Sequence, residues 1–327
     1  MIKKSDILPY KWMKERRQKQ FFQIIKTQEE PEVYGREGNR KRVFYIEDTV
    51  SQTNPDRLMV GHTPQNIYWD RFNVGLPIQF FGHELIFDKA SQYCIRKYGL
   101  LVESEEIRGN DFERVLRDKS ALSEYSKIFT HSERVLDALP NAAFIPACGM
   151  WYGTSRFGGV LTDSQYEKKT KNISMISSQK SGLKYYNIRL AVADRVKRTG
   201  IVDGFGPYFG KWIEKKADGL TDYRYSIVIE NDKKPLYFTE KILDCFASMT
   251  VPIYVGADKI GEFFNLDGII LLDERNIDNI TDIIRGCDEK DYRNRLKAIL
   301  DNYRRVQRYR CIEDYIMREY GQDFILS

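Results

Sequence analysis

The sequence has little of what several chemistries require. Its five cysteines (Cys94, Cys148, Cys245, Cys287 and Cys311) are odd in number, scattered and without a Cys-x-x-Cys pair. This argues against a disulfide framework or a structural zinc site and points to a reducing compartment. The three histidines, His62, His83 and His131, share no ligand spacing such as His-x-x-x-His, so no metal site is expected of them. No run of ~20 apolar residues occurs, and the N-terminal MIKKSDILPYKWMKERRQKQ is polar and basic. Neither a signal peptide nor a membrane span is therefore expected. An excess of one charge is also missing: 52 basic against 47 acidic residues leave +5, too mild for a nucleic-acid binder. That balance suits a phosphate-bearing small ligand or an anionic surface equally well.

What is present is ordinary globular material, 42% hydrophobic and 30% charged over 327 residues, enough for two domains with their own cores. Short apolar runs alternate with helical patterns, which predicts α/β layering on mostly parallel strands. KRVFYIED (41–48) and YGLLVESEEI (98–107) read as strands. Helical spacing over 111–125 puts Phe112, Val115, Leu116 and Leu122 on one side. KIFTHS, ERVLDAL and NAAFIPACG continue as strand, helix and strand. Between Trp151 and Ser174 the periodicity lapses into a Gly-, Ser-, Thr- and Lys-rich stretch, and the domain boundary is placed there. The expected organisation is an N-terminal domain over 1–160, a second over 161–300 and a basic C-terminal helix or tail over 301–327. Within the tail, Arg304, Arg305, Arg308 and Arg310 interleave with Tyr303, Val306, Tyr309 and Ile312. This reads either as a peripheral membrane contact through 303–320 or as a helix packed on the protein.

The densest segment is YSIVIENDKKPLYFTEKILDCFASMTVPIYVG (225–256). A buried strand runs into Glu230 and Asn231, Tyr237 follows a short loop, and Thr239 is placed as the N-cap of a new helix. Glu240 and Lys241 then occupy its first turn, with Ile242, Phe246 and Met249 docking it on the sheet. A helix N-terminus offers free N–H groups and partial positive charge, favourable for a diphosphate, and Lys241 adds a cation. Glu240 can accept from two vicinal ribose hydroxyls. The plainer alternative is a carboxylate that complements the helix dipole beside a solvated lysine. GFGPYFG (204–210) lacks the strand-GxGxxG-helix order of a dinucleotide fingerprint and is read as a loop near the ligand.

This segment, EN-x5-YFTEKILDCFASMTVPIYVGA, resembles the donor-binding motif of the α1,3/α1,4-fucosyltransferases, glycosyltransferase family ten. NIRLAVADRVKRTGIVDGFG resembles the same family's stretch in which an arginine opens a helix before a V-D-x-x-G strand end. LLVESEEI with KIFTHS and FIPACG resembles its N-domain pattern more loosely. The resemblance implies two Rossmann-like domains facing a central cleft, the GT-B architecture. It also implies inverting transfer of L-fucose from GDP-L-fucose to an oligosaccharide or lipid-linked glycan hydroxyl, in an α1,3-type linkage. By the same resemblance Arg189 and Lys241 would hold the diphosphate, Glu240 the ribose, and Asn231, Tyr237 and Glu230 would line the phosphate and sugar region. Glu103 would be the general base, with Glu105 a rival because a one-residue shift within ESEE turns the other side chain to that face, and Asp48 and Glu47 rivals because KRVFYIED imitates the base-bearing strand at another position. His131 would face acceptor or serve structurally. No Asp-x-Asp motif occurs, which agrees with fixed protein cations replacing a metal, so no cofactor and no obligatory metal is expected. A cytoplasmic protein, free or peripheral to the membrane, and of bacterial or viral rather than Golgi origin, is the expectation. Two alternatives stay open: a transferase for another GDP-sugar, and a non-catalytic nucleotide- or glycan-binding protein with a transferase fold.

Overall fold

The computed structural model describes residues 32–34, 40–49, 57–89, 92, 94–273 and 275–326. The chain divides into two compact units: one holds the residues up to Glu103, Ile107–Ile145 and the chain from Ile312 on, the other Ser104–Glu106 and Pro146–Cys311.

The first unit is built on strands β1 (Glu32–Tyr34), β2 (Arg40–Glu47), β3 (Ile67–Asp70), β4 (Ile78–Gly82), β5 (Arg96–Leu101), β6 (Lys127–Thr130) and β7 (Ala142–Phe144). They join in the order β1-β2-β4-β5-β6-β7 with β3 also on β2. Every pairing is parallel except β1 with β2. Parallel strands need crossovers, and helices α1 (Leu85–Asp88), α2 (Glu105–Arg117) and α3 (Glu133–Ala138) supply three of them. Val43, Tyr45, Phe81, Leu101 and Ile128 pack on the helical side with Phe112, Val115 and Val135.

The second unit carries β8 (Lys171–Ile176), α4 (Lys184–Thr199), β9 (Val202–Phe205), β10 (Tyr223–Ile229), α5 (Glu240–Ala247), β11 (Val251–Val255) and β12 (Ile270–Leu271). Helices α6 (Ile280–Gly286), α7 (Glu289–Asn294) and α8 (Leu296–Val306) follow. The strands run in the order β12-β11-β10-β8-β9, all parallel. Counted within the unit this is a 2-1-3-4-5 arrangement, whose topological switch point falls between β8 and β10. Both Rossmann-like units of the GT-B expectation are thus present.

Helix α9 (Ile312–Tyr320) and the turn after it belong to the first unit. Phe324 is fully buried against Phe44, Phe80 and Tyr98, at ring distances of 5.2, 5.8 and 5.0 Å. The Asp323 carbonyl accepts from the Tyr98 hydroxyl at 2.7 Å. On α9, Glu313 is buried and accepts from Trp69 Nε1 at 3.0 Å. The second face of the first sheet is thereby covered by chain from the far end of the sequence, as a parallel sheet requires.

The observed boundaries correct the expected ones. The division falls at Ile145/Pro146 rather than near residue 160, because the Gly- and Ser-rich stretch is no linker. Trp151 and Tyr152 donate their backbone N–H groups to Asp244 of α5, and Met150, Tyr152, Gln165 and Lys169 are buried. Residues 301–327 are likewise no separate tail. Tyr303, Val306 and Tyr309 are buried in the second unit, and Ile312, Tyr315 and Ile316 in the first. The apolar side of 303–320 is thus committed inside the protein, leaving Arg304, Arg305, Arg308 and Arg310 outward. No described helix is long and apolar enough to cross a membrane. Finally, YGLLVESEEI is not one strand: β5 ends at Leu101 and α2 starts at Glu105. Replacing Phe324 with Ala should cost about 3–5 kcal/mol, read as a lowered urea midpoint, since the ring fills a wholly enclosed space.

Candidate functional site

The site is organised where β10 ends. Its apolar run stops at Ile229, and the next residue, Glu230, is fully buried. A carboxylate in such a place must be matched by donors and a cation. Thr239 donates its backbone N–H to one oxygen at 3.0 Å and its hydroxyl to the other at 2.7 Å. Lys241 Nζ stands 3.2 Å from that second oxygen and donates to the Thr239 hydroxyl oxygen at 2.9 Å. Thr239 also caps α5, its hydroxyl accepting from the Lys241 backbone N–H, as its position before the helical turn predicted. Inside the loop so closed, the Tyr237 hydroxyl donates to Asn231 Oδ1 at 2.7 Å, and both residues are buried.

Arg189 reaches the same strand end from α4. Its Nε and Nη2 donate to the Ile229 carbonyl at 2.9 and 2.6 Å, and its guanidinium lies 5.3 Å from the Tyr186 ring centre. Burial lowers its pKa, with Glu230 foremost among the groups that oppose the shift. Lys216, from the short turn Lys216–Gly219, pairs with Asp244 at 2.6 Å, stands 3.9 Å from Glu240 and lies over the Trp151 ring. Burial would raise the pKa of Glu240. Lys241 and Lys216 overcome that and hold it at about 2, so it is an ionised acceptor at neutral pH. For Lys241 the balance runs the other way: burial would lower its pKa, and Glu230 and Glu240 raise it.

Arg189, Lys216, Glu240 and Lys241 line one cavity of about 340 Å³ together with Trp151, Phe157, Ile176, Pro207, Trp212 and Ile213. It opens beside the C-terminal ends of β8 and β10, the switch point where open parallel sheets take ligands. Trp151 and Phe157 stack with centroids 4.6 Å apart. Gly206 and Pro207 of the GFGPYFG loop contribute to its wall. Arg189, Glu240 and Lys241 are therefore brought together. Glu230, Asn231 and Tyr237 are not among the lining residues. Glu230 is corrected from a ligand contact to the buried anchor of Thr239 and Lys241, while Asn231 and Tyr237 brace the loop. Lys216, Asp244 and Trp151 were missed. The one available signal was Asp244 itself, an acid inside the apolar run ILDCFA.

The candidate bases sit at the C-terminal ends of first-unit strands or just beyond. Asp48 is buried in an ion pair with Arg71, and Glu47 accepts from Tyr45 at 2.9 Å and pairs with Lys89 at 3.4 Å. Glu105 is buried at the start of α2. Glu103 is half-buried in the turn after β5, not on the strand. Its backbone N–H and carbonyl are bonded to His83 and His131, both fully buried, so His131 is engaged with the main chain at Glu103. Among the described residues no group of three or more His, Cys, Asp or Glu is placed to hold a metal ion.

Comparison with protein families finds no match. The chain resembles the α-(1,3)-fucosyltransferase FucT of Helicobacter pylori, with 31% identity over 102 residues. That stretch is 30% of this chain and spans about a fifth (21%) of the relative's length. Among solved structures, an α1,3-fucosyltransferase aligns with a TM-score of 0.50 at 15% identity, over 78% of this chain and 80% of that one. HepE from Anabaena, crystallised with UDP-glucose, aligns at 0.54 and 11% identity, over 86% and 99%. A sucrose-phosphate synthase from Thermosynechococcus elongatus aligns at 0.50 and 13%, over 86% and 88%. At these identities the structures establish a shared fold.

Two outcomes follow from the charge cluster. Lys241→Met should destabilise the protein by about 2–4 kcal/mol in urea unfolding. It leaves Glu230 buried without its cation, although Lys241 itself is 29% exposed. The double variant with Glu230→Gln should recover at least part of that loss. Glu240 has its pKa depressed on folding, from 4.5 to about 2, so its ionisation contributes stability above about pH 4.5 that is lost as pH falls toward 2. Glu240→Gln should flatten the stability profile across that window, measured by thermal melts against pH.

Proposed function

We propose that the protein is an inverting glycosyltransferase that moves L-fucose from GDP-L-fucose to a glycan hydroxyl in an α1,3-type linkage, without an obligatory metal. The observation that carries this reading is the convergence of Arg189, Lys241 and Glu240 on one cavity at the switch point and the start of α5. The FucT resemblance supports the choice of sugar and linkage.

In this reading the diphosphate lies against the N-terminus of α5 and Lys241, with the guanidinium of Arg189 beside them. Lys241 has three N–H groups and three present partners, Glu230, Thr239 and, at 3.4 Å, Glu240. Ribose hydroxyls would draw Glu240 away, and a phosphate oxygen would take its place on the ammonium. Glu230 and Thr239 keep that ammonium aimed throughout. The guanine would lie along the apolar wall lined by Ile176, Pro207, Trp212 and Ile213. The fixed cations and helix dipole then stabilise GDP as it leaves, the role a bound ion fills elsewhere. Glu103 takes the proton of the attacking hydroxyl, on the face of the sugar opposite the leaving group, as inversion requires. It is preferred over Glu105, Asp48 and Glu47 because it precedes Ser104 in the Glu-Ser pattern and lies just before the IFTHS and FIPACG stretches that carry the resemblance. The acceptor is an oligosaccharide or lipid-linked glycan, and five cysteines present as thiols suit a cytoplasmic protein.

The deciding experiment is a screen of GDP-L-fucose, GDP-mannose and UDP-sugars against a glycan acceptor panel, with and without EDTA, products read by mass spectrometry. Fucosylated product from GDP-L-fucose alone, undiminished by EDTA, is expected. Preference for a UDP-sugar, donor binding with no product, or abolition by EDTA would each overturn the corresponding part of the proposal.

A further inference from the structure

In the first sheet β5 lies between β4 and β6, parallel to both, with Gly82 opposite Leu100 and Thr130 opposite Leu101. His83 follows β4 directly, His131 follows β6 directly, and Glu103 lies just beyond the end of β5. Sheet register alone therefore delivers an imidazole to each side of the main chain at Glu103. His83 Nε2 accepts the Glu103 N–H at 3.3 Å, and His131 Nε2 donates to the Glu103 carbonyl at 3.0 Å. These roles settle the tautomers at the bonded nitrogens. The His83 proton is on Nδ1, where it faces Asp111 Oδ2 at 3.1 Å, and His131 carries one on Nε2. Phe112 packs against both rings, at centroid distances of 6.5 and 5.8 Å. His83 adopts a φ of 54°, a left-handed conformation that a non-glycine residue holds only when its surroundings impose it.

A residue just past a strand end has left the ladder, and its N–H and C=O would ordinarily turn to water, free to reorient. Here both groups are taken by side chains buried in the core. Fixing the peptide planes on either side of Glu103 fixes the direction of its Cα–Cβ bond, hence the arc its carboxylate can reach. We propose that His83 and His131 are positioning residues that clamp the main chain of Glu103 from the two neighbouring strands and so preset the aim of its carboxylate. The inference rests on the reading of Glu103 as the base, and adds to it the device that orients the base. Neither imidazole transfers the proton; each acts through the backbone of another residue. A base misplaced by ~1 Å can lose about a hundredfold in rate while binding is unaffected, so the clamp should act on kcat and leave donor affinity alone.

The test compares His131→Leu, which removes the donor and keeps bulk, with His131→Gln, whose amide can still reach the carbonyl, and with Glu103→Gln. GDP-L-fucose turnover is followed as GDP release, with the acceptor giving most product in the screen, alongside GDP affinity and a thermal melt. His131→Leu should lower kcat by about 10- to 100-fold, with KM for GDP-L-fucose and GDP affinity unchanged, and His131→Gln should restore most of it. If the leucine variant does not fold, His131→Gln against His131→Asn makes the same comparison, because the shorter amide falls short of the carbonyl. An inactive Glu103→Gln alongside a fully active His131→Leu would overturn the clamp alone, as would a glutamine variant no better than leucine or asparagine. An active Glu103→Gln would overturn the base assignment, and the clamp's catalytic purpose with it.

Discussion

The buried carboxylate of Glu230 is the constraint on which the second unit's site depends. Taken out of water at the end of β10, it would cost several kcal/mol unless donors and a cation met it. Thr239 and Lys241 do so, and in doing so they close the loop between residues 230 and 239, start α5 at Glu240 and hold the Lys241 ammonium in one place. The same packing explains the glycine after β11. A Cβ on Gly256 would sit 2.8 Å from Glu230 Cγ and 2.1 Å from the Tyr254 hydroxyl, so no larger residue fits without moving the anchor.

The other cations are ordered in the same way before any ligand arrives. Arg189 is fastened to the Ile229 carbonyl, and Lys216 to Asp244, which is itself tied to the backbone of Trp151 and Tyr152. Three elements far apart in sequence thus place positive groups around one cavity, each through a bond to a fixed partner. Such a site has already met the entropic cost of ordering long side chains, and more of the interaction with an anionic ligand remains for binding and for the departing charge. The first unit shows a parallel habit: the main chain at Glu103 is held by groups from adjoining strands rather than by its own neighbours in sequence.

Much of this was legible from local pattern. The motif at 225–256 gave the strand, the Thr239 cap, and Glu240 and Lys241 on the first turn of the helix, because caps and helical periodicity act over a few residues. The alternation of apolar runs with helical spacing gave two parallel-sheet units. Composition misled at 151–174, where Gly, Ser and Thr suggested a linker: side-chain bonds to Asp244, Thr221 and Leu220 hold that stretch in place, and such bonds leave no periodic trace. It misled again at ESEE, read as strand where a turn and a helix start were found, since charged residues suit both.

By itself the sequence determined the elements, their layering, the helix cap and the chemical types gathered in one motif, all consequences of short-range propensity and apolar spacing. Tertiary structure decided which charges face the cavity and which are buried anchors, separating Glu240 from Glu230 although both are glutamates in one motif. It also decided that Phe324 completes the first unit's core, and that His83 and His131 meet Glu103. Those outcomes depend on strand order and on burial, which arise between residues tens to hundreds of positions apart and carry no local signature.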